Sequence, residues 1–285
     1  MLACLVLAIL PAGCGSSPKS GGDHSQPAPL ADAAAVVKAY NARTSRVTSL
    51  WARASVVLEG EDAEGRDLRE RAEGHLQIVP PSDVALTLGK LGETNLYFGS
   101  NDTVYWWFDM IDPDFKVASF GRHRLVTPEK IDRLDLPIDP LDLIEALGIT
   151  TLPDDGSTKV APGPEAGTLM LAAPAHRGTR RITIDREHSE PGRIELLDDD
   201  GQTLLEADLS RYRLIAGLDP GEAPLRIPER VNVRLAGFDG EIRLSFYEPT
   251  RREIKPVAFD PAKLADVYGI DALEDLDMPT ERPGP

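Results

Sequence analysis

Most of the chain alternates apolar and polar residues with a period of two, the pattern of half-buried β-strands. In residues 49–59, Leu50 and Val56 fall on one face of such a strand, and Arg53 falls on the other. Ten further segments show the same alternation or a short apolar run, and short turns separate most of them. About eleven strands in this order predict a curved, mainly antiparallel sheet.

Helical patterns stand at the start, in the middle and near the end of the chain. Each has a capping residue or a proline at its first turn, as helices do. They begin at Asp32, at Thr127-Pro128, at Asp139-Pro140 and near Pro261. The sequence therefore predicts an α+β fold over residues 31–272, with a helical insertion at about 111–164 and a disordered tail at 273–285.

The first ten residues are almost entirely apolar, but a membrane-spanning helix needs about 20 such residues. The small residues Ala12 and Gly13 follow, and then Cys14. We expect residues 1–13 to be a signal peptide and residues 14–30, which are rich in Gly, Ser and Pro, to be a flexible tether. An ordinary secretory signal cut near Ala12 and a buried hydrophobic N-terminus are the alternatives.

Leu10, Ala12, Gly13 and Cys14 resemble the lipobox of bacterial lipoproteins, although Pro11 stands where an aliphatic residue is usual. The resemblance implies cleavage before Cys14 and attachment of acyl chains such as palmitate to that residue. Several chains would anchor the protein stably to a membrane. In bacterial lipoproteins an aspartate after the cysteine keeps some members in the inner membrane. None of the three residues after Cys14 is aspartate, so the resemblance implies the outer membrane, facing the periplasm.

Charge and cysteine content exclude several classes of protein. The net charge of −16 argues against nucleic-acid binding, because neutralising phosphates needs a basic surface. Both cysteines, Cys4 and Cys14, precede the predicted domain, so that domain has no disulfide, cysteine nucleophile or cysteine metal site.

The order of the segments resembles the LolA/LolB-like superfamily of periplasmic lipoprotein carriers and their lipoprotein-sorting relatives. A helix precedes the strand at 49–59. Later come residues 180–213 (RRITIDREHSEPGRIELLDDDGQTLLEADLSRYR), residues 225–235 (LRIPERVNVRL) and a closing pattern with Lys255, Pro256 and Phe259. The resemblance implies an unclosed antiparallel β-barrel whose concave apolar face lies under helices and holds acyl chains or lipoproteins.

The candidates for this concave face are the apolar residues on one side of the predicted strands. An apolar face of a sheet must be covered by helices, by a partner or by a ligand, and a filled core is the simplest of these outcomes for any single residue. The candidates are Leu50, Val56, Leu76, Ile78, Leu86, Leu88, Phe98, Trp107, Ile182, Ile184, Val231, Val233, Leu244 and Phe246.

Catalytic and metal-binding signatures do not occur in the sequence. The five histidines are scattered, and no HExxH, GxSxG, GxGxxG or phosphate-binding loop is present. We therefore predict no catalytic residues, no metal and no cofactor, and we regard a carboxylate hydrolase as remote.

Two functions remain open at this point. The first is an outer-membrane-anchored, non-enzymatic lipoprotein that binds acyl chains of a lipid or lipoprotein in the half-barrel. The second is a structural or regulatory envelope protein that binds another protein through the same half-barrel.

Overall fold

The computed structural model describes residues 32–61, 66–90, 92–131, 133–134, 138–216 and 224–278. The predicted signal peptide, Cys14 and all of the predicted tether lie outside these residues. The described residues contain one sheet of fourteen strands and four α-helices. No helix among them is long and apolar enough to cross a membrane.

The helices begin where the sequence predicts them. They are α1 (Ala33–Thr44), α2 (Pro128–Ile131), α3 (Pro140–Ala146) and α4 (Pro261–Tyr268). The carboxylates of Asp32, Asp139 and Asp260 accept hydrogen bonds from backbone N–H groups in the first turns of α1, α3 and α4. These caps satisfy N–H groups that have no partner within the helix.

The strands form two antiparallel meanders. The first contains β1 (Leu50–Glu61), β2 (Asp67–Val79), β3 (Asp83–Lys90), β4 (Glu93–Ser100), β5 (Val104–Asp109) and β6 (Val117–Arg122). The second contains β7 (Lys159–Pro162), β8 (Thr168–Pro174), β9 (Thr179–Asp185), β10 (Pro191–Leu197), β11 (Thr203–Ile215), β12 (Leu225–Leu235) and β13 (Gly240–Thr250). The last strand is β14 (Ala272–Asp275).

Pairing of β1 with β13 joins the two meanders, with Val56 opposite Leu244. At one end of the sheet β14 pairs in parallel with β6, and at the other end β7 pairs with β8. The two end strands are not paired with each other, so the sheet is not closed. The predicted fold class, an unclosed antiparallel half-barrel with helices over its concave face, is confirmed.

Each face of the sheet carries its own apolar cluster. We call the concave side, which packs against α1 and α3, the inner face. On the opposite side, the outer face, Tyr97, Trp106 and Phe108 pack against residues 254–270, which we call the C-terminal cover. Strands β3 to β5 are therefore covered on both faces.

The structure contains three strands that the sequence did not predict, in addition to the eleven that it did. β6 and β7 lie inside the insertion that we expected to be helical, so residues 111–164 also extend the sheet at both ends. β14 lies where we expected the disordered tail. This expectation was wrong for residues 273–278, because the strand bonds to β6 and Leu276 is buried.

Candidate functional site

All fourteen candidate residues lie together on the inner face. They come from eight strands, belong to one buried cluster and are each at most 5% exposed. Several face each other directly across neighbouring strands, such as Leu76 with Leu86 and Phe98 with Trp107. Cross-strand apolar pairs of this kind stabilise a sheet. The structure thus brings the set together on one concave surface.

The inner face lies beneath a cover that the sequence predicted only in outline. The helical cover consists of α1, α3 and residues 147–152. Its buried apolar side chains include Tyr40 and Val37 from α1 and Leu143 and Ile144 from α3. All of them join the same cluster as the strand residues, so the interior is closed to solvent in this structure.

Polar contacts fasten the two helices of the cover to each other. The Tyr40 hydroxyl donates to the Gly148 carbonyl at 3.3 Å, and an Arg43 guanidinium N–H donates to the same oxygen at 2.9 Å. The Asn41 side chain exchanges two hydrogen bonds with the backbone of Leu152, at 2.8 and 2.7 Å. These bonds satisfy carbonyl groups beyond the end of α3, and they hold α1 against the segment that follows α3.

A buried ionic cluster fastens α3 to the turn between β8 and β9. His176 lies in that turn, with Nε2 3.3 Å from Asp142 Oδ1 and 3.7 Å from Asp139 Oδ2. Its Nδ1 is 3.7 Å from Glu145 Oε1, and Arg177 pairs with Asp142. Three carboxylates of one short helix therefore meet two cations of a single turn.

Burial and charge shift the pKa values of this cluster in opposite directions. Burial lowers the pKa of His176, but the neighbouring carboxylates of Asp139, Glu145 and Asp142 outweigh it and raise that pKa to about 10. Burial, together with the charge of Asp139, raises the pKa of Asp142 although Arg177 lies against it. Burial opposes ionisation of Asp139, but His176 overcomes it and lowers the pKa of that carboxyl. His176 is therefore cationic at neutral pH.

A cleft of about 920 Å³ lies between the helical cover and the rim of the half-barrel. Its lining combines Pro80 and Pro81 of the β2–β3 turn with Glu145, His176 and Arg180. Arg180 is 3% exposed, and its guanidinium donates to Thr150 and to the Thr151 carbonyl, which ties β9 to the cover.

A second cleft of about 920 Å³ lies along strands β1 to β4, and Leu88 is its single contact with the candidate set. Among its charged residues Arg71 pairs with Glu73, whereas Arg53 and Lys90 pair with Glu248 and Glu70 outside the lining. Neither cleft is an acyl-sized cavity within the inner face. The candidate site is therefore an apolar face that is assembled but covered.

The sequence did not single out the residues that hold the cover in place. His176 was one of five scattered histidines, and nothing in its neighbourhood indicated the three carboxylates that it meets more than 30 positions away. The Asp139-Pro140 helix start was a visible signal, but it indicated a cap and not an ionic cluster. Among the described residues, no group of three or more His, Cys, Asp or Glu side chains could hold a metal ion.

Together, the open sheet, the concave apolar face and the helices across it define a LolA-like fold. Similar solved structures include a LolA superfamily protein from Nitrosomonas europaea, with a TM-score of 0.54 and 11% identity over 80% of this chain and 97% of that one. A putative outer membrane lipoprotein-sorting protein domain from Vibrio parahaemolyticus has a TM-score of 0.54 and 10% identity over 81% of this chain and 99% of that one.

A DUF1329 family protein from Desulfovibrio piger is similar to the same extent, with a TM-score of 0.53 and 12% identity over 82% of this chain and all of that one. No family model matches the chain, and no curated protein matches it. At these identities the likeness extends to the fold alone.

Proposed function

We propose that the protein is a non-enzymatic envelope lipoprotein whose inner face binds acyl chains of a lipid or lipoprotein. The observation that carries this proposal is the convergence of apolar residues from eight strands beneath a cover of two short helices. The LolA-like fold supports it. Burial of an acyl chain on such a face is favourable by about 25 cal/mol per Å² of apolar surface.

Acyl chains can reach the inner face only when part of the helical cover moves, because the interior is closed. The element suited to this movement is α3, which has seven residues and is too short to be a stable helix by itself. The ionic cluster at His176 and the bonds to Gly148 hold it in place. An entering acyl chain would take the place of Leu143 and Ile144 in their contacts with the strands.

The anchor is a further part of this proposal. Cleavage after Gly13 and acylation of Cys14 would leave residues 14–30 as a tether between the membrane and the half-barrel. The outer membrane, facing the periplasm, is the proposed location. Intact mass spectrometry of the protein purified from bacterial membranes tests both steps. A Cys14→Ser variant should show neither the cleaved nor the acylated mass.

Tryptophan fluorescence can test acyl binding at the inner face directly. The chain has three tryptophans: Trp107 lies on the inner face beside Phe98, Trp106 lies on the outer face, and Trp51 stacks on His75. We expect a spin-labelled fatty acid, doxyl-stearate, to quench a delipidated variant that retains Trp107 alone, made by Trp51→Phe and Trp106→Phe.

The matched control retains Trp51 alone, through Trp106→Phe and Trp107→Phe. Because Trp51 lies on the outer side of β1, saturable quenching should be absent from this variant. Equal quenching of both variants would place the fatty acid elsewhere, and no quenching of either folded variant would contradict acyl binding.

The closed interior favours the alternative function, in which the half-barrel binds another protein of the cell envelope. In that case the packed inner face is a structural core, and recognition uses the outside of the molecule. A stable protein complex that forms with delipidated protein, together with absence of doxyl-stearate quenching, would support this alternative over the acyl carrier.

A further inference from the structure

Four large apolar side chains are exposed at one corner of the sheet. Ile111 and Phe115 lie in the β5–β6 turn, Val267 in α4 and Leu273 in β14. They are 60%, 56%, 72% and 66% exposed, respectively. Single exposed apolar residues are normal on protein surfaces, but a group of large ones that come from three elements marks an interaction surface. We call this group the corner patch.

Lys116 holds the three elements of the corner patch together. Its backbone N–H donates to Asp271 Oδ2 at 2.9 Å, and its ammonium donates to the Tyr268 carbonyl at 2.8 Å. Its own carbonyl accepts from the N–H groups of Asp271 and Ala272, at 2.9 and 3.2 Å. The β5–β6 turn, the end of α4 and the start of β14 are therefore one connected unit, and the patch is preformed.

The patch also lies beside an unpaired strand edge. β14 is the last strand in the sheet order, and within the described part of the chain it pairs only with β6. The N–H groups of Ala272 and Leu276 donate towards β6. Because alternate N–H groups of a strand point to opposite sides, those of Leu273 and Asp275 face away from the sheet. An extended segment can add to such an edge.

The charge around the patch is strongly negative. Residues 109–116 and 266–273 contain five aspartates and one cation, Lys116, whose ammonium is already bonded to a carbonyl. Asp112, Asp114, Asp266 and Asp271 are exposed. A complementary partner would carry apolar side chains flanked by lysine or arginine.

We propose that the corner patch and the free edge of β14 bind an extended, basic segment of another protein. The backbone of the segment pairs with β14, its apolar side chains cover Leu273, Val267 and Phe115, and its cations face the aspartates. The inference does not depend on acyl binding, because this surface lies at the edge of the sheet and outside the inner face. An anionic membrane is a poor partner for it, since the aspartates repel acidic headgroups.

A synthetic peptide can test this proposal. The probe is a fluorescein-labelled octapeptide of alternating lysine and valine, and its charge-reversed counterpart of alternating glutamate and valine is the control. We expect fluorescence anisotropy to show saturable binding of the lysine peptide alone, weakened by salt because the attraction is between exposed charges. Hydrogen exchange should slow at the amides of Leu273 and Asp275 when the peptide binds.

Variants of the patch separate this surface from nonspecific charge attraction. We expect Val267→Ser, at a 72% exposed site on α4, to weaken peptide binding by about tenfold through loss of apolar contact, without changing the charge of the patch and with little change in the melting temperature. Leu214→Ser is the matched control, because Leu214 is 58% exposed on β11. It should leave binding unchanged.

Four results would overturn the proposal. The first is absence of saturable binding by the lysine peptide, and the second is equal weakening by Val267→Ser and Leu214→Ser. The third is Val267-dependent binding to phosphatidylglycerol vesicles without peptide binding, which would make the patch a membrane contact. The fourth is Val267-dependent dimerisation of the unliganded protein in sedimentation measurements, which would assign the patch to a second copy of the chain.

Discussion

Replacement of His176 by Gln should destabilise the protein strongly and in a pH-dependent way. The substitution removes the cation that faces Asp139, Asp142 and Glu145, within 3.3–3.7 Å of each. Asp139 and Asp142 are 1% and 4% exposed, so water cannot replace the lost partner. Removing one partner of a buried ion pair typically costs about 3–5 kcal/mol.

The raised pKa of His176 gives an independent magnitude and the sign of the pH dependence. An increase from 6.5 to about 10 corresponds to about 5 kcal/mol, at 1.36 kcal/mol per pKa unit. Because the folded-state pKa is the higher one, this stabilisation is complete below pH 6.5 and is lost as the pH rises through 10. At pH 9 only about a third of it remains.

Urea unfolding followed by circular dichroism at pH 6 and pH 9 measures both effects. His188→Gln is the matched control, because the His188 side chain is 53% exposed in the β9–β10 turn, and its cost should stay below about 1 kcal/mol. The reasoning fails if His176→Gln costs no more than His188→Gln at pH 6. It also fails if the cost of His176→Gln is the same at both pH values.

Three further predictions concern stability measured by thermal or urea unfolding. Gly148→Ala should cost about 2 kcal/mol, because the residue has φ +63° and an added Cβ would lie 2.7 Å from Pro191. Gly156→Ala, at φ +85° with free space around it, should cost about half as much, and equal costs would show that the Pro191 contact is unimportant. Phe259→Ala should cost about 3–5 kcal/mol and expose the outer cluster to a hydrophobic dye, whereas a cost below 1 kcal/mol would show that the C-terminal cover is dispensable. Asp260→Ala should cost about 1 kcal/mol through loss of the α4 cap, and a change in far-UV circular dichroism much larger than one short helix would contradict a local effect.

The sequence predicted those parts of the fold that depend on local pattern. Alternation located the inner face, and the run at residues 104–108 is apolar on both sides, as suits a strand that is covered on both faces. Tyr105 and Trp107 point inward, and Trp106 and Phe108 point towards the C-terminal cover. The Asp-Pro starts correctly placed α3 and α4 near their observed first residues.

The parts that could not be predicted depend on contacts between distant residues. β14 has the sequence Ala-Leu-Glu-Asp, which carries no strand pattern, and it forms because β6 supplies a partner about 155 positions earlier. β7 contains a proline and is confined to the edge of the sheet, where a missing N–H is tolerated. The ionic cluster at His176 likewise requires that a turn and a helix 30 positions apart be brought together by the fold.

The order of strands in the sheet has a consequence for how the chain folds. Each meander consists of strands that follow one another in sequence, so it can form early. Strand β1, however, pairs on its other side with β13, nearly 190 positions later. Contacts of such sequence separation slow folding, because a long loop must close before they form. The C-terminal cover arrives later still, so the aromatic outer face of β4 and β5 stays unprotected until the chain is nearly complete. During this interval a nascent or partly folded molecule is most exposed to aggregation and to capture by chaperones.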